Sequence, residues 1–197
     1  MPESHKSEKH EKLTEEQGLY LLGLARQSIR HHLENTPKPL IDAADKVFDE
    51  KRGVFVTLTL GHKLRGCIGL PLPIKPLAEA VSEMAVAAAA EDPRFEPVGI
   101  EELDSICVEV SVLSLPRKVK VPSDVVVGRH GIIISKGFHK GLLLPQVPVE
   151  YNWDRETFLS HGCLKAGLDE DEWKRGVTIE VFTAQVFQEE CPEVKPE

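Results

Sequence analysis

The stretch His62–Pro76, HKLRGCIGLPLPIKP, sets an arginine two residues before a cysteine, with glycines around both. If the arm from Leu64 to Ile68 is extended, its side chains alternate between two faces. Arg65 and Cys67 then share one face, and Leu64, Gly66 and Ile68 share the other. Two residues of strand place the guanidinium about 7 Å along from the thiol. A cation at that range favours the thiolate, the nucleophilic form of cysteine. Cys67 is therefore a candidate nucleophile or redox thiol, with Arg65 as its electrostatic partner, and the pair suits a small anionic ligand equally. The opposing reading is a tight hairpin that needs its glycines and holds Cys67 as a small buried hydrophobe. These residues alone leave both readings open, and with them the question of whether the chain is an enzyme.

Other reactive residues are sparse. Cys67, Cys107, Cys163 and Cys191 form no CxxC pair and no dense framework, so reduced thiols in a reducing compartment are expected. No HExxH or paired Cys/His spacing appears, and His161 with Cys163 would bind a metal only with ligands from elsewhere in the fold. With no phosphate loop and no GxGxxG, no cofactor and no metal is expected.

The formal charge of −8, the pI near 5.5 and an aromatic content of 6% disfavour a generic nucleic-acid surface. A small ligand or a protein partner ranks above RNA. No basic start leads into an apolar run, and 18 consecutive apolar residues occur nowhere, so a cytoplasmic protein with no membrane contact is expected.

The elements that would position these residues follow from periodicity. Thr14 and Gln17 form a capping box that starts a helix, with Leu21, Leu22, Ala25, Ile29 and Leu33 as its apolar stripe. A short amphipathic piece runs from Ile41 to Phe48. VFVTLTL reads as a strand, Gly61 to Lys63 as a turn, and the LRGCIG arm returns. IKPLAEAVSEMAVAAAAEDP is helical by its alanine content, with Leu77, Val81, Met84 and Ala88 facing the core. SICVEVSVL is a strand with Ile106, Val108, Val110 and Val112 on one face and Cys107 and Glu109 on the other. Strands are expected at DVVVG, GIIISKG and GLLLPQV, then a helix from about Asp154 to Ala166 ending at Gly167, then one strand at GVTIEVFTAQVF. This order is α+β with a largely antiparallel or mixed sheet. Residues 1–12 are expected to be flexible, 13–188 to form one domain, and 189–197 to be a flexible C-terminus.

The hexapeptide LRGCIG, the proline-rich step and helix after it, DPRFEPV, GLLLPQVPVEYNWDRETFL and CLKAGL occur in that order. Together they resemble the AMMECR domain family over about residues 14–188. The LLPQVPVE and CLKAGL blocks are similar to its archaeal and bacterial branch, system protein A of the AmmeMemoRadiSam group. The resemblance implies a barrel-like sheet flanked by helices, a smaller subdomain, and Memo-like and radical SAM proteins as partners. It brings no defined reaction. Carried over by position, it marks Arg65, Gly66, Cys67 and Gly69, then Asp92, Arg94 and Phe95, then Gln146, Trp153, Cys163 and Lys165. Of these, Arg65, Gly66, Gly69, Arg94, Gln146, Cys163 and Lys165 are candidate ligand-binding residues and Cys67 is the candidate catalytic one. The expected function is a ligand- or partner-binding component built around an LRGCIG-centred cleft. The alternative is a cysteine-dependent enzyme using Cys67 with Arg65.

Overall fold

Thr14 and Gln17 start the first helix as their spacing predicts. The Gln17 N–H donates to Thr14 Oγ1 at 3.2 Å and the Thr14 N–H donates to Gln17 Oε1 at 2.8 Å, which satisfies two donors that a helix start would leave bare. The computed structural model describes residues 12–41 and 45–191. The helices are α1 (Glu15–Leu33), α2 (Leu77–Ala90), the single turn α3 (Val147–Glu150) and α4 (Arg155–Lys165). The strands are β1 (Val54–Leu60), β2 (Lys63–Leu70), β3 (Ile106–Leu113), β4 (Arg117–Lys118), β5 (Gly131–Lys136), β6 (His139–Leu143), β7 (Thr178–Phe182) and β8 (Ala184–Gln188).

These elements divide into two compact units. One takes the chain up to Val112 and again from Gln185, and the other is Leu113–Ala184. In the first unit the sheet order is β2-β1-β3-β8, with β1 antiparallel to both β2 and β3. Its inner face carries Val54, Val56 and Leu58 of β1 and Ile106, Val108, Val110 and Val112 of β3, which pack with Leu21, Leu22, Ala25 and Ile29 of α1 and Leu77, Val81 and Ala88 of α2. Each large apolar side chain among them, moved out of water, stabilises the fold by about 1.5–3 kcal/mol. In the second unit the order is β4-β7-β5-β6, and every neighbouring pair is antiparallel. Ile132 and Ile134 of β5, Ile179 and Val181 of β7, and Phe158, Leu159 and Cys163 of α4 make its core.

The α+β class is what the alternation of periods implied, but the sheets are open, not closed into the expected barrel. Each therefore keeps two edge strands, whose outward N–H and C=O groups need other partners. The strand expected at DVVVG is absent. Its backbone bonds side chains instead: the Val126 N–H donates to His130 Nδ1 at 3.1 Å, and the Val125 carbonyl accepts from Arg155 Nε at 2.7 Å. GVTIEVFTAQVF is two strands rather than one, interrupted at Thr183, with β7 in the second sheet and β8 in the first. Part of the piece expected from Ile41 to Phe48 lies outside the described residues, and its later part is a 3-10 turn, Lys46–Asp49, capped by Asp45. Residues 1–11 and 192–197 of the expected flexible ends also lie outside them.

The segment after β8 is fastened to the first unit. Arg26 Nε donates to Glu189 Oε1 at 2.6 Å, and Glu189 Oε2 accepts the Val108 N–H at 2.9 Å. Cys107 and Cys191 are joined as a disulfide, with Cα atoms 5.5 Å apart. The expectation of four reduced thiols therefore does not hold for this pair, which 84 residues of sequence separate. Cys67 and Cys163 are free.

Gly66 is where α2 meets β2 most closely. A Cβ built there would lie 2.1 Å from the carbonyl oxygen of Ala88, a backbone atom that cannot swing aside. Gly23, on the exposed side of α1, would meet nothing within 4 Å. Gly66→Ala should therefore lower stability by about 1–3 kcal/mol through overpacking. Gly23→Ala should raise it by about 0.5–1 kcal/mol through backbone entropy. Urea unfolding of the two variants beside the parent checks both signs.

Candidate functional site

β2 is an edge strand, and this decides what surrounds Cys67. Its partner across the ladder is Thr57 of β1, whose own partner on the other side is Glu109 of β3. Cys67, Thr57 and Glu109 therefore stand in a row across the outer face of the first sheet, opposite the face that α1 and α2 cover. Adjacent members of the row are one strand spacing apart, about 4.8 Å, and its two ends about 10 Å. Thr57 Oγ1 lies 3.3 Å from Cys67 Sγ and donates to it.

The outward backbone of Cys67 is taken up by the DPRF turn. The Cys67 N–H donates to Asp92 Oδ2 at 2.8 Å, and its carbonyl accepts from Arg94 Nη2 at 3.2 Å. Asp92 and Arg94 in turn hold each other in a forked ion pair, Nε to Oδ1 at 2.9 Å and Nη2 to Oδ2 at 2.7 Å. The Arg94 N–H closes the turn onto Asp92 Oδ1 at 3.1 Å. Two side chains thus replace the strand that an edge lacks. The Asp92 side chain is only 2% exposed, whereas that of Arg94 is 53% exposed. Arg94's hydrogen bonds hold the Asp92 carboxyl far below the ordinary carboxylate range, against the opposing effect of burial, with the Cys67 and Arg94 N–H groups adding to the shift.

Arg94, not Arg65, is the guanidinium bonded to Cys67, at its backbone carbonyl. Its pKa is raised chiefly by the Asp92 hydrogen bond, and the Cys67 side chain contributes further through charge and a hydrogen bond. Arg65 has other partners. Its Nε donates to Glu102 Oε1 at 2.8 Å and its Nη2 to Glu102 Oε2 at 2.9 Å, while Nη1 reaches the Glu96 carbonyl at 2.8 Å. The side chain expected to activate Cys67 is neutralised by a carboxylate and pins the loop after DPRF. Glu109, at the far end of the row, has its pKa raised, mainly by burial, with a smaller opposing effect from Ser111. A thiol, a hydroxyl, a guanidinium and a reluctantly charged carboxyl therefore surround one strip of sheet. Arg94 is paired with Asp92 as Arg65 is with Glu102, but its guanidinium is half exposed and still offers Nη1 to an anion, and Glu109 can exchange a proton at Oε.

Of the other candidates, Gly66 and Gly69 belong to the same strand. Gly69 leaves room for the Phe55 ring, which a Cβ there would approach to 2.1 Å. Gln146, Cys163 and Lys165 are in the second unit. Cys163 is fully buried in its core, and burial raises its pKa, the environment of an inert structural thiol. Lys165 ends α4, where a cation suits the helix dipole, and the Gln146 carbonyl accepts the Val149 and Glu150 N–H groups at 3.0 Å in the α3 turn. His161 stacks on Trp153 with ring centroids 3.8 Å apart. Two residues along a helix do not face each other, so His161 and Cys163 are not a chelating pair. Sequence reading did not single out Thr57 or Glu102 and gave Glu109 no role. The alternation in β1 and β3 places Thr57 and Glu109 on outer faces, but only the register sets them beside Cys67.

Asp92→Ala should cost about 3–5 kcal/mol, because it leaves the Cys67 N–H and the Arg94 guanidinium without their buried partner. Arg94→Ala should cost a similar amount, because it leaves the 2%-exposed Asp92 carboxylate without its cation. Because the folded pKa of Asp92 is depressed, its contribution is present above the unfolded value near 3.8 and is lost as pH falls below it. The difference in urea midpoint between parent and Asp92→Asn should therefore be constant near pH 7, begin to narrow by pH 3, and close only as pH falls on toward the depressed folded value.

The AMMECR1 family profile matches residues 22–187 of the chain. "Protein MJ0810" of Methanocaldococcus jannaschii is 51% identical over 189 residues, covering 91% of this chain and 94% of that protein. "Protein MK0488" of Methanopyrus kandleri is 52% identical over 193 residues, covering 93% of each. The crystal structure of the uncharacterized protein PH0010 from Pyrococcus horikoshii superposes with a TM-score of 0.78 at 44% identity, covering 91% of this chain and 95% of that one. A family match over most of the length, relatives at half identity and a shared fold lead to one conclusion: the chain belongs to the AMMECR1 family.

Proposed function

We propose that the chain is a binding component whose site is the strip of the first sheet around Cys67, and that its ligand is a small anionic electrophile held by Arg94 beside the thiol. The observation that carries this is the setting of Cys67, whose sulfur accepts from Thr57 Oγ1 at 3.3 Å while Arg94 Nη2 bonds the same residue's carbonyl at 3.2 Å. Among the described residues no histidine is bonded to that thiol, so capture of a ligand is better supported than turnover, which needs a base to cycle protons. Arg65 enters by holding Glu102 and the loop, a positioning role. The finer assignment, a component acting beside Memo-like and radical SAM proteins in the cytoplasm, rests on the resemblance of the LRGCIG, LLPQVPVE and CLKAGL blocks. Among the described residues no helix is long and apolar enough to cross a membrane, which is compatible with that assignment.

The cysteine-dependent enzyme is the second reading, and Glu109 favours it. A carboxyl with a raised pKa on the same strip is suited to general acid-base work. It stands two strands from Cys67, so it would act on a bound ligand rather than on the thiol.

Alkylation tests the site directly. Iodoacetate is anionic and iodoacetamide neutral, so the ratio of their rates at Cys67, read by peptide mass spectrometry, reports a cation at the thiol. The ratio should exceed that of a free cysteine peptide, fall to the peptide value in Arg94→Gln, and stay unchanged in Arg65→Gln. Labelling of Cys163 before Cys67 in the native protein, or a ratio indifferent to Arg94, would sink the proposal.

A further inference from the structure

A cavity lies in the first unit, between the last turns of α1 and the middle of α2, and it shares no residue with the strip around Cys67. Its volume is about 300 Å³, at the small end of the range for ligand sites. Ser28 and Ser82 line its depth and His31, His32 and Lys38 its rim, and none of its lining residues is acidic. In a chain of net charge −8 that local bias is a feature to be explained.

The two serines are 3% and 8% exposed, so each is a polar group set into an interface of leucines and alanines. Ser28 Oγ donates its one proton to the Leu24 carbonyl at 2.7 Å. The 2.8 Å contact between the two hydroxyls must then be made by the Ser82 proton. Both protons are spent, and the lone pairs left on Ser82 Oγ can only accept. The floor of the cavity therefore asks for a donor.

The rim asks for the opposite charge. Asn35, at φ +54°, turns the chain back after α1, and the Asn35 and Thr36 N–H groups satisfy the His32 and His31 carbonyls at 3.2 and 2.9 Å. That removes most of the negative end of the helix from the site. The same turn brings Lys38 to the rim. His31 Nδ1 lies 2.7 Å from Thr36 Oγ1, which pins the ring and leaves Nε2 as the nitrogen available to a ligand. Nε2 accepts a ligand hydroxyl when the ring is neutral and donates to an anion when it is protonated.

We infer that this cavity is a binding site for a small hydroxylated anion, one whose hydroxyl donates to Ser82 Oγ while its phosphate or carboxylate meets Lys38 and the two imidazoles. The inference is independent of the Cys67 strip.

Titration of the full chain with sn-glycerol 3-phosphate and with glycerate, followed by the histidine ring-proton resonances, tests it. Glycerol and inorganic phosphate are the control probes, each carrying half of the required chemistry. At least one of the two hydroxylated anions should give saturable shifts at His31 and His32, and both controls should bind about tenfold more weakly or worse, the worth of one charge-assisted bond. Whichever of the two saturates tells phosphate from carboxylate. Lys38→Gln, an exposed change, should weaken binding by a similar factor. Ser82→Ala should bring the hydroxylated anion down to the level of inorganic phosphate, and if that variant does not fold, Lys38→Gln decides alone. Prior alkylation of Cys67 should leave every shift in place. Equal affinity for inorganic phosphate, shifts that never saturate, indifference to Lys38→Gln, or loss of binding on alkylating Cys67 would each overturn the inference.

Discussion

The Asp92 carboxylate, bonded at once to the Cys67 N–H and to Arg94, is the interaction on which the candidate site depends. An open sheet leaves its edge strands with unpaired backbone groups, and β2 is such an edge. Covering it with another strand would bury the very backbone that carries Cys67. The DPRF turn instead supplies one acceptor and one donor from side chains, so the strand is closed to a further strand while its outer face stays available. The arrangement is costly to assemble, because a carboxylate 2% exposed must be fully paired. Four hydrogen bonds to Asp92 from Arg94 and Cys67 meet that demand.

The second arginine of the motif has a matching structural task. Arg65 binds Glu102 and the Glu96 carbonyl, which fixes the chain just beyond DPRF, the turn whose Arg94 bonds the Cys67 carbonyl. Gly66 between them lets α2 come within reach of β2, since any side chain would strike the Ala88 carbonyl. Arginine, glycine and cysteine of LRGCIG thus serve three different contacts on three sides of one strand. The two residues before the cysteine have structural partners of their own, and Cys67 is the one of the three whose side chain stands on the outer face.

The first unit is also closed from its far end. Glu189 ties the segment after β8 to Arg26 of α1 and to the Val108 N–H of β3, and Cys191 is bonded to Cys107 on the same strand. Glu109, the carboxyl with the raised pKa, sits between those two points of attachment, at Cys107 and Val108, and the row that leads through Thr57 to Cys67. The outer face of β3 is consequently held on one side by the C-terminal segment and on the other by β1.

The amino-acid sequence by itself determined the α+β class, the start of α1 at a capping box, the inward faces of β1, β3 and α2, and the family, because each rests on residues close together in the chain: a cap three residues from its partner, an alternation of period two, a hexapeptide. It also placed Cys67 on an outward face. What only the tertiary structure decided were the partners. Arg65 and Cys67 share a face of β2, yet a guanidinium on a long stem goes to the nearest carboxylate, and Glu102 is 37 residues away in sequence. Arg94 reaches the Cys67 carbonyl for the same reason, through Asp92. The strand expected at DVVVG failed because a buried histidine and an arginine from α4 offered its backbone better bonds than a ladder did. GVTIEVFTAQVF reads as one strand because its pattern has no break, and it is two because the chain passes at Thr183 from one sheet to the other. Local pattern specifies which way a side chain faces. Which group it meets there is set by register and by the competition among distant charges, and these exist only once the chain has folded.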